Sequence, residues 1–303
     1  MLKKLVPIIL CLCLIVIAAW CTTERRTESD TSKEPKADAN AVMNDFHTLA
    51  QKNSSVVEEV ANFINNNISK VSKEDASKMV DEFEKIQKNN LPQLEDMFTK
   101  DDMQNKINRE YKAIIAQSDI KDTGLKELLD KTKNSGYKVE TAEGLFFPII
   151  DYELYKNFSS YVTPDMKDYI NIMAEESNKV PAKDAALVIG WDEVLKRVLS
   201  QEKFINTHKD SVKVDEIKQL YKKYVTFALY GANNTPLFSY DKKTLVPEAK
   251  EVYFAAVAGA GNSDFLKTLG GFLDLIKNNN YKLTSEVEQY RDNVIKKLSV
   301  NST

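Results

Sequence analysis

From about Asn40 to the C-terminus, apolar residues recur at spacings of three and four, the period of an amphipathic helix. Val56, Val60, Ile64 and Ile68 form one stripe, and Ala76, Met79, Val80, Phe83 and Ile86 form a second in the same register. Ser72-x-x-Asp75 ahead of that second stripe has the form of a capping box. Leu91-Pro92 is expected to break the helix, because proline lacks the N–H and its ring clashes with the preceding turn. Thr99-x-x-Asp102 should open a third run through Met103, Ile107, Tyr111, Ile114 and Ile115, and Leu125, Leu128 and Leu129 make a shorter one that stops at Gly136. The pattern predicts helical hairpins over 41–136.

Periodicity lapses from Tyr137 to Gly144, the expected boundary with a second helical region over 137–303, unless the two are continuous. Tyr137-Lys138-Val139 is the one segment that reads as a strand. The aromatic stretch Leu145 to Tyr155 contains Pro148, and should be a helix break held by buried rings. Thr163-Pro164 restarts a helix with threonine as cap and proline at the first position. Further helices are expected over 181–205, 211–230, 247–258, 263–277 and 285–298, with stops at Gly231 and Asn278 to Asn280. The fold class is therefore all-α, a multi-helix bundle or array of roughly eight to ten helices. No fixed repeat marks a solenoid.

The N-terminus has another character. Met1-Leu2-Lys3-Lys4 precedes an uncharged run from Leu5 to Trp20, the layout of an export signal. That run is short for a span across hydrocarbon. Ala18-Ala19-Trp20-Cys21 resembles the lipobox of bacterial lipoproteins, which implies acylation of Cys21, although Trp20 stands where that pattern has a small residue. Cleavage near Ala19 and release of a secreted protein is the competing outcome. Residues 22–40 hold no large apolar side chain and should form a disordered tether. The expected location is the outer face of the cell membrane, with the lipid as the membrane contact.

Composition narrows the chemistry. Lys plus Arg total 42 against 45 Asp plus Glu, giving −3, so nothing favours nucleic acid as a partner. The only histidines are His47 and His208, and the three cysteines all fall by Cys21, so zinc, haem, iron-sulfur and thiol chemistry lack ligands. No metal or cofactor is expected. Gly259-Ala260-Gly261 fails as a dinucleotide loop because Asp264 occupies the third glycine position and no βαβ pattern surrounds it.

The sequence offers two families of candidate residues. Asp192 shares a helical face with Val188 and Leu195, where a carboxylate needs a partner or a proton, while Glu193 is spaced to pair outward with Arg197. Asp184 is read as favouring that helix's start. Glu143 and Asp151 bracket the aromatic stretch with Glu140 and Glu153; with Asp192 they are the candidate acids of a wall or peptide hydrolase. The alternative is a non-enzymatic binding or scaffold domain for a wall component, peptide or protein. Its candidate region comprises Phe146, Phe147, Tyr152, Glu153, Trp191, Asn234 and Phe238, the last two in a polar loop with aromatic residues. A solute receptor for a transporter is a third reading, but it calls for alternating strands and helices.

Three segments, Glu143-Gly144 to Tyr155, Pro181-Ala182-Lys183-Asp184 to Trp191-Asp192-Glu193, and Asn234-Thr235-Pro236-Leu237-Phe238, together resemble an uncharacterised group of predicted lipoproteins from low-GC Gram-positive bacteria. The resemblance spans about residues 40–300. It implies an exported helical protein and no particular activity.

Overall fold

Ser72 accepts a hydrogen bond from the backbone N–H of Asp75 at 3.1 Å, so the expected capping box is in place and starts the longest helix among the described residues. The computed structural model describes residues 36–52, 57–116, 118–259 and 261–300. The expected export signal, Cys21 and the expected tether up to residue 35 lie outside the described residues, as does Val56, whereas residues 36–40 of that tether are helical. The described chain is all-α. Its helices are α1 (Lys36–Ala50), α2 (Val57–Asn67), α3 (Lys73–Thr99), α4 (Met103–Ile115), α5 (Thr123–Asn134), the single turn α6 (Tyr152–Tyr155), α7 (Pro164–Asn178), α8 (Trp191–Thr207), α9 (Val214–Tyr230), α10 (Pro247–Ala258), α11 (Asp264–Asn278) and α12 (Ser285–Val300). Three antiparallel ladders interrupt them: β1 (Tyr137–Ala142) with β2 (Leu145–Ile150), β3 (Ala182–Lys183) with β4 (Ala186–Leu187), and β5 (Gly231–Ala232) with β6 (Thr235–Pro236). Among the described residues, no helix is long and apolar enough to cross a membrane.

The periodic stripes are the buried faces. Val60, Ala61 and Ile64 of α2 meet Ala76, Met79, Val80 and Phe83 of α3 in one core. Thr163 and Pro164 start α7, with the Thr163 hydroxyl bonded to Ser77 and making no cap bond, and Ser263 caps α11 by accepting from the N–H of Leu266 at 3.0 Å. The first core takes its residues from α1 to α7 together with Phe204 and Ile217, and it runs without interruption across position 137. A second core gathers α8 to α12 around Val194, Tyr224, Leu237, Tyr253 and Phe272. Each such fully buried side chain contributes about 1.5–3 kcal/mol.

Several local expectations are overturned. Pro92 lies inside α3, which continues to Thr99. The lost N–H bond is offset by burial on both sides of the proline, with Ile86, Gln87 and Asn90 before it and Leu94 and Phe98 after it. Thr99 consequently ends a helix and caps nothing, and α4 starts after Asp102, a left-handed residue (φ 62°) that makes no side-chain cap bond. The aromatic stretch is a strand. Tyr137 pairs with Ile150 and Ala142 with Leu145 across the two-residue turn Glu143-Gly144, whose φ values of 52° and 75° match the twist of a tight hairpin. Pro148 is tolerated because a two-stranded ladder leaves each strand one free edge. The side-chain amide of Gln104 on α4 donates to the Phe146 carbonyl at 2.8 Å and accepts from the Phe146 N–H at 2.8 Å, so it substitutes for a third strand there.

The helix expected from Pro181 begins only at Trp191, after the β3–β4 hairpin. Its turn, Asp184-Ala185, holds both residues at positive φ (50° and 58°), and bonds from a distant segment fix it. Asn234 donates its N–H to the Ala185 carbonyl at 2.8 Å and its amide to the Asp184 carbonyl at 2.7 Å, while Thr235 accepts from the Leu187 N–H at 3.1 Å. Asp184 is thus a turn residue and has no part in starting α8.

Candidate functional site

The three nominated acids occupy separate places. Glu143 is exposed at the tip of the β1–β2 hairpin, and Asp151 follows its other end, about 20 Å away at ~3.3 Å per residue. The Asp151 carboxylate accepts from the Glu153 N–H at 3.2 Å and pairs with Lys138 at 3.2 Å. Asp192 is exposed in the first turn of α8 rather than on its buried stripe, because Val188 belongs to the preceding loop and is itself exposed. Its Oδ1 folds back so closely that a Cβ on Gly190 would lie 2.3 Å away. Glu193 does pair with Arg197, at 2.9 Å, but inward.

Most of the nominated binding residues are structural. Phe146 and Tyr152 are buried in the first core, and Trp191 packs edge-on against Tyr253 in the second. Phe147 is half-buried on the hairpin. Glu153 is exposed and engages Lys156 at 2.8 Å and the Asn178 amide at 2.6 Å. Asn234 holds the Asp184 turn, and only Phe238 lines a substantial cavity.

Two buried ionic groups were not foreseen. Lys213 Nζ pairs with Asp81 at 2.6 Å, with Glu84 and with Glu216 at 3.3 Å, over the Tyr169 ring at 4.7 Å. Tyr152 and Tyr169 donate their hydroxyls to Glu84, and Lys88 reaches Glu84 at 2.9 Å and Glu216 at 2.8 Å. Burial opposes the Lys213 charge, but the surrounding carboxylates override it and hold its pKa above the usual lysine range. The second group is Arg197, 1% exposed, which donates to Glu193 and Glu176 at 2.9 Å each and to the Tyr224 hydroxyl at 2.7 Å. Burial raises the pKa of Glu176. In both groups the central cation is buried and bonded mainly to its own partners, so they join helices, although the Arg197–Glu193 pair also borders a surface cavity with Glu175 and Lys179. The signal for the first was legible: Glu84, Gln87 and Asn90 sit where α3 turns inward.

A cavity of about 370 Å³ opens at the end of α9, walled by Tyr230, Asn233, Phe238, Tyr240, Lys243 and Arg291. Local structure places each wall. Gly231 ends α9 at φ 77°, where a Cβ would meet the Thr235 carbonyl at 2.2 Å, so only glycine permits the sharp reversal into β5–β6. The following loop is tied to the segment before α12, with Leu245 N–H donating to the Tyr281 carbonyl at 2.8 Å and Leu283 N–H to the Lys243 carbonyl at 2.7 Å. Arg291 comes from α12. Its guanidinium lies 4.2 Å from the centre of the Tyr230 ring and 5.8 Å from that of Phe238, and its Nε is buried without a hydrogen-bond partner.

Tyr240 is 70% exposed, yet its hydroxyl donates to the Asn233 carbonyl at 2.6 Å, which fixes the ring at the cavity mouth. The neighbouring acids bond to wall residues. Asp292 accepts from the Tyr230 hydroxyl, and Asp241 is held below the usual carboxylate range by the Lys242 N–H and the Ser239 hydroxyl. Burial, reinforced by Asp292, raises the Tyr230 pKa, so that ring stays neutral. Among the described residues, two cationic side chains and no carboxylate line the wall. Among the described residues, no cluster of His, Cys, Asp and Glu is arranged to hold a metal ion.

Sequence reasoning reached this region through the 233–240 loop but missed Tyr230, Lys243 and Arg291. The available signal was the scarcity of arginine, found only at 25, 26, 109, 197 and 291 in a lysine-rich chain. No protein-family model matches the chain, and comparison with curated proteins and with solved structures finds no match.

Proposed function

We propose that this chain is an exported, lipid-anchored binding protein of the cell surface, acylated at Cys21, whose helical domain captures an anionic ligand in the cavity at the end of α9. The observation that carries the reading is the cavity's charge. On a chain of net charge −3, a concave site with Lys243 and Arg291 and no carboxylate on its wall is an outlier. An arginine normally finds a carboxylate; Arg291 instead lies over Tyr230 with its Nε unpaired, which leaves its charge for an external oxyanion. The basic leader, the uncharged run that follows it and Cys21 support export and anchoring.

The hydrolase reading has less support. A pair of acids acting on one bond must stand within about 5–10 Å of each other, and Glu143 and Asp151 are at opposite ends of a strand. The transporter-receptor reading calls for alternating strands and helices, whereas the described chain carries only three short ladders.

The test is calorimetric titration of the full-length protein in detergent with inorganic phosphate and with acetate, repeated with Arg291→Gln. Saturable binding that the substitution abolishes is expected. Binding unaffected by Arg291→Gln, or no binding of either anion, would remove the reading.

A further inference from the structure

The cavity contains more than positive charge. The Arg291 guanidinium lies over the Tyr230 ring with its Nε unpaired, and its fork of N–H groups is of the kind that matches two oxygens of one oxyanion. Lys243 supplies a second cation on the same wall, which favours phosphate over the singly charged carboxylate. The remaining wall recognises something else. Tyr240 presents a flat ring that is largely exposed but immobilised through its hydroxyl on Asn233, so a stacked ligand would cost little side-chain entropy. Asn233, whose oxygens accept from the Tyr240 hydroxyl, brings the N–H donors of its side-chain amide beside that ring, and a hydroxylated ring has acceptors for them where a purely aromatic ligand has few. The cavity, at about 370 Å³, is of the size that holds a single ring with one phosphate.

From these features we infer that the site takes a phosphorylated sugar ring, its phosphate on Arg291 and Lys243 and its ring face on Tyr240. The inference rests on the anion-binding reading above and adds the identity of the group that carries the anion. The same chemistry arises in a free sugar phosphate and in a phosphate-linked sugar of a wall polymer, which differ in whether the phosphate is a monoester or a diester.

Calorimetric titrations of the full-length protein in detergent separate these cases. The probes are glucose 1-phosphate, its methyl phosphodiester, glycerol 3-phosphate, inorganic phosphate and glucose. Glucose 1-phosphate or its diester is expected to bind about tenfold tighter than inorganic phosphate or glycerol 3-phosphate, as packing the C–H face of one sugar ring on an aromatic ring would give. Preference for the monoester identifies a free sugar phosphate, and equal or better binding of the diester identifies a polymer unit. Tyr240→Ala should erase the ring's advantage over inorganic phosphate, and Tyr240 is exposed enough that folding is not at issue. Arg291→Lys, which keeps the charge but loses the fork, should weaken every phosphate compound by about tenfold. If all phosphate compounds bind equally and Tyr240→Ala changes nothing, the sugar inference is wrong and the anion site stands. If none binds, or glucose binds as well as its phosphate, both are wrong.

Discussion

Lys213 and Glu84 lie 129 residues apart in sequence and form an ion pair in which both side chains are almost sealed from solvent, at 2% and 1% exposure. The pair joins α3 to the start of α9, so helices read separately from sequence are held by one buried charge contact. Removing one member of such a pair leaves the other charge buried and uncompensated, at a cost of about 3–5 kcal/mol. Lys213→Met should therefore lower the melting temperature by about 10 °C. Glu84→Gln combined with Lys213→Met should lose less than the sum of the two single changes, and chemical denaturation of all three variants measures the coupling.

The same cluster sets the response to acid. Burial works against the Asp81 carboxylate, but hydrogen bonds from Lys213 and Lys85 override it and lower its pKa below 3.8, and Glu216 is lowered below 4.5 in the same way by Lys88 and Lys213. A carboxylate with a depressed folded pKa is protonated in the unfolded chain first, so unfolding takes up protons and stability is lost as pH falls through the folded values. Urea midpoints should be level down to about pH 5 and fall steeply below about pH 4. Lys213→Met should flatten that acid limb, because the charge that depresses both values is gone. An unchanged limb would mean that other carboxylates govern acid unfolding.

Two glycines with nearly equal φ should respond differently to alanine. Gly231, at φ 77°, has the Thr235 carbonyl 2.2 Å and the Leu237 nitrogen 2.7 Å from a built Cβ. Gly144, at φ 75°, has nothing within 4 Å. Gly144→Ala should cost about 1 kcal/mol for the left-handed backbone alone. Gly231→Ala should cost several times as much and distort the cavity, so equal costs in thermal unfolding would contradict the geometry described at the end of α9.

Pro92 is the cleanest substitution in α3. Its position inside a continuous helix removes one backbone bond, and Pro92→Ala restores the donor while keeping the helical backbone. The variant should be more stable by about 1–3 kcal/mol, read from urea unfolding. A loss of stability would show that the proline shapes the packing of Asn90 or Leu94.

The helices were legible because burial and helical period coincide. Val60, Ile64, Ala76, Met79, Val80 and Phe83 are buried where the stripes placed them, and Ser72, Thr163 and Ser263 stand at helix starts. The hairpins were hidden for two reasons. Glu143-Gly144 and Asp184-Ala185 reach positive φ without the Asn-Gly or Asp-Gly pairs that advertise such turns. Leu145 to Ile150 is a continuous apolar run, which periodicity alone does not assign to strand or helix. Asp192 was misread because a helix starting at Pro181 would place Val188 and Asp192 on one face, and bonds from Asn234 and Thr235 delay that start to Trp191. At the cavity, Phe238 and the loop around Asn233 were visible as a polar turn with rings. Tyr230, Lys243 and Arg291 were not, because their convergence depends on α12 packing beside α9, a contact that no local pattern encodes.

If Arg291 receives an oxyanion, its side-chain Nε–H signal in a 15N-resolved NMR spectrum reports the binding directly. Titration of the full-length protein with inorganic phosphate should shift the Arg291 signal saturably and leave the signal of the buried, carboxylate-paired Arg197 in place. An Arg291 signal that stays fixed, or one that drifts in parallel with Arg197 without saturating, would contradict the account.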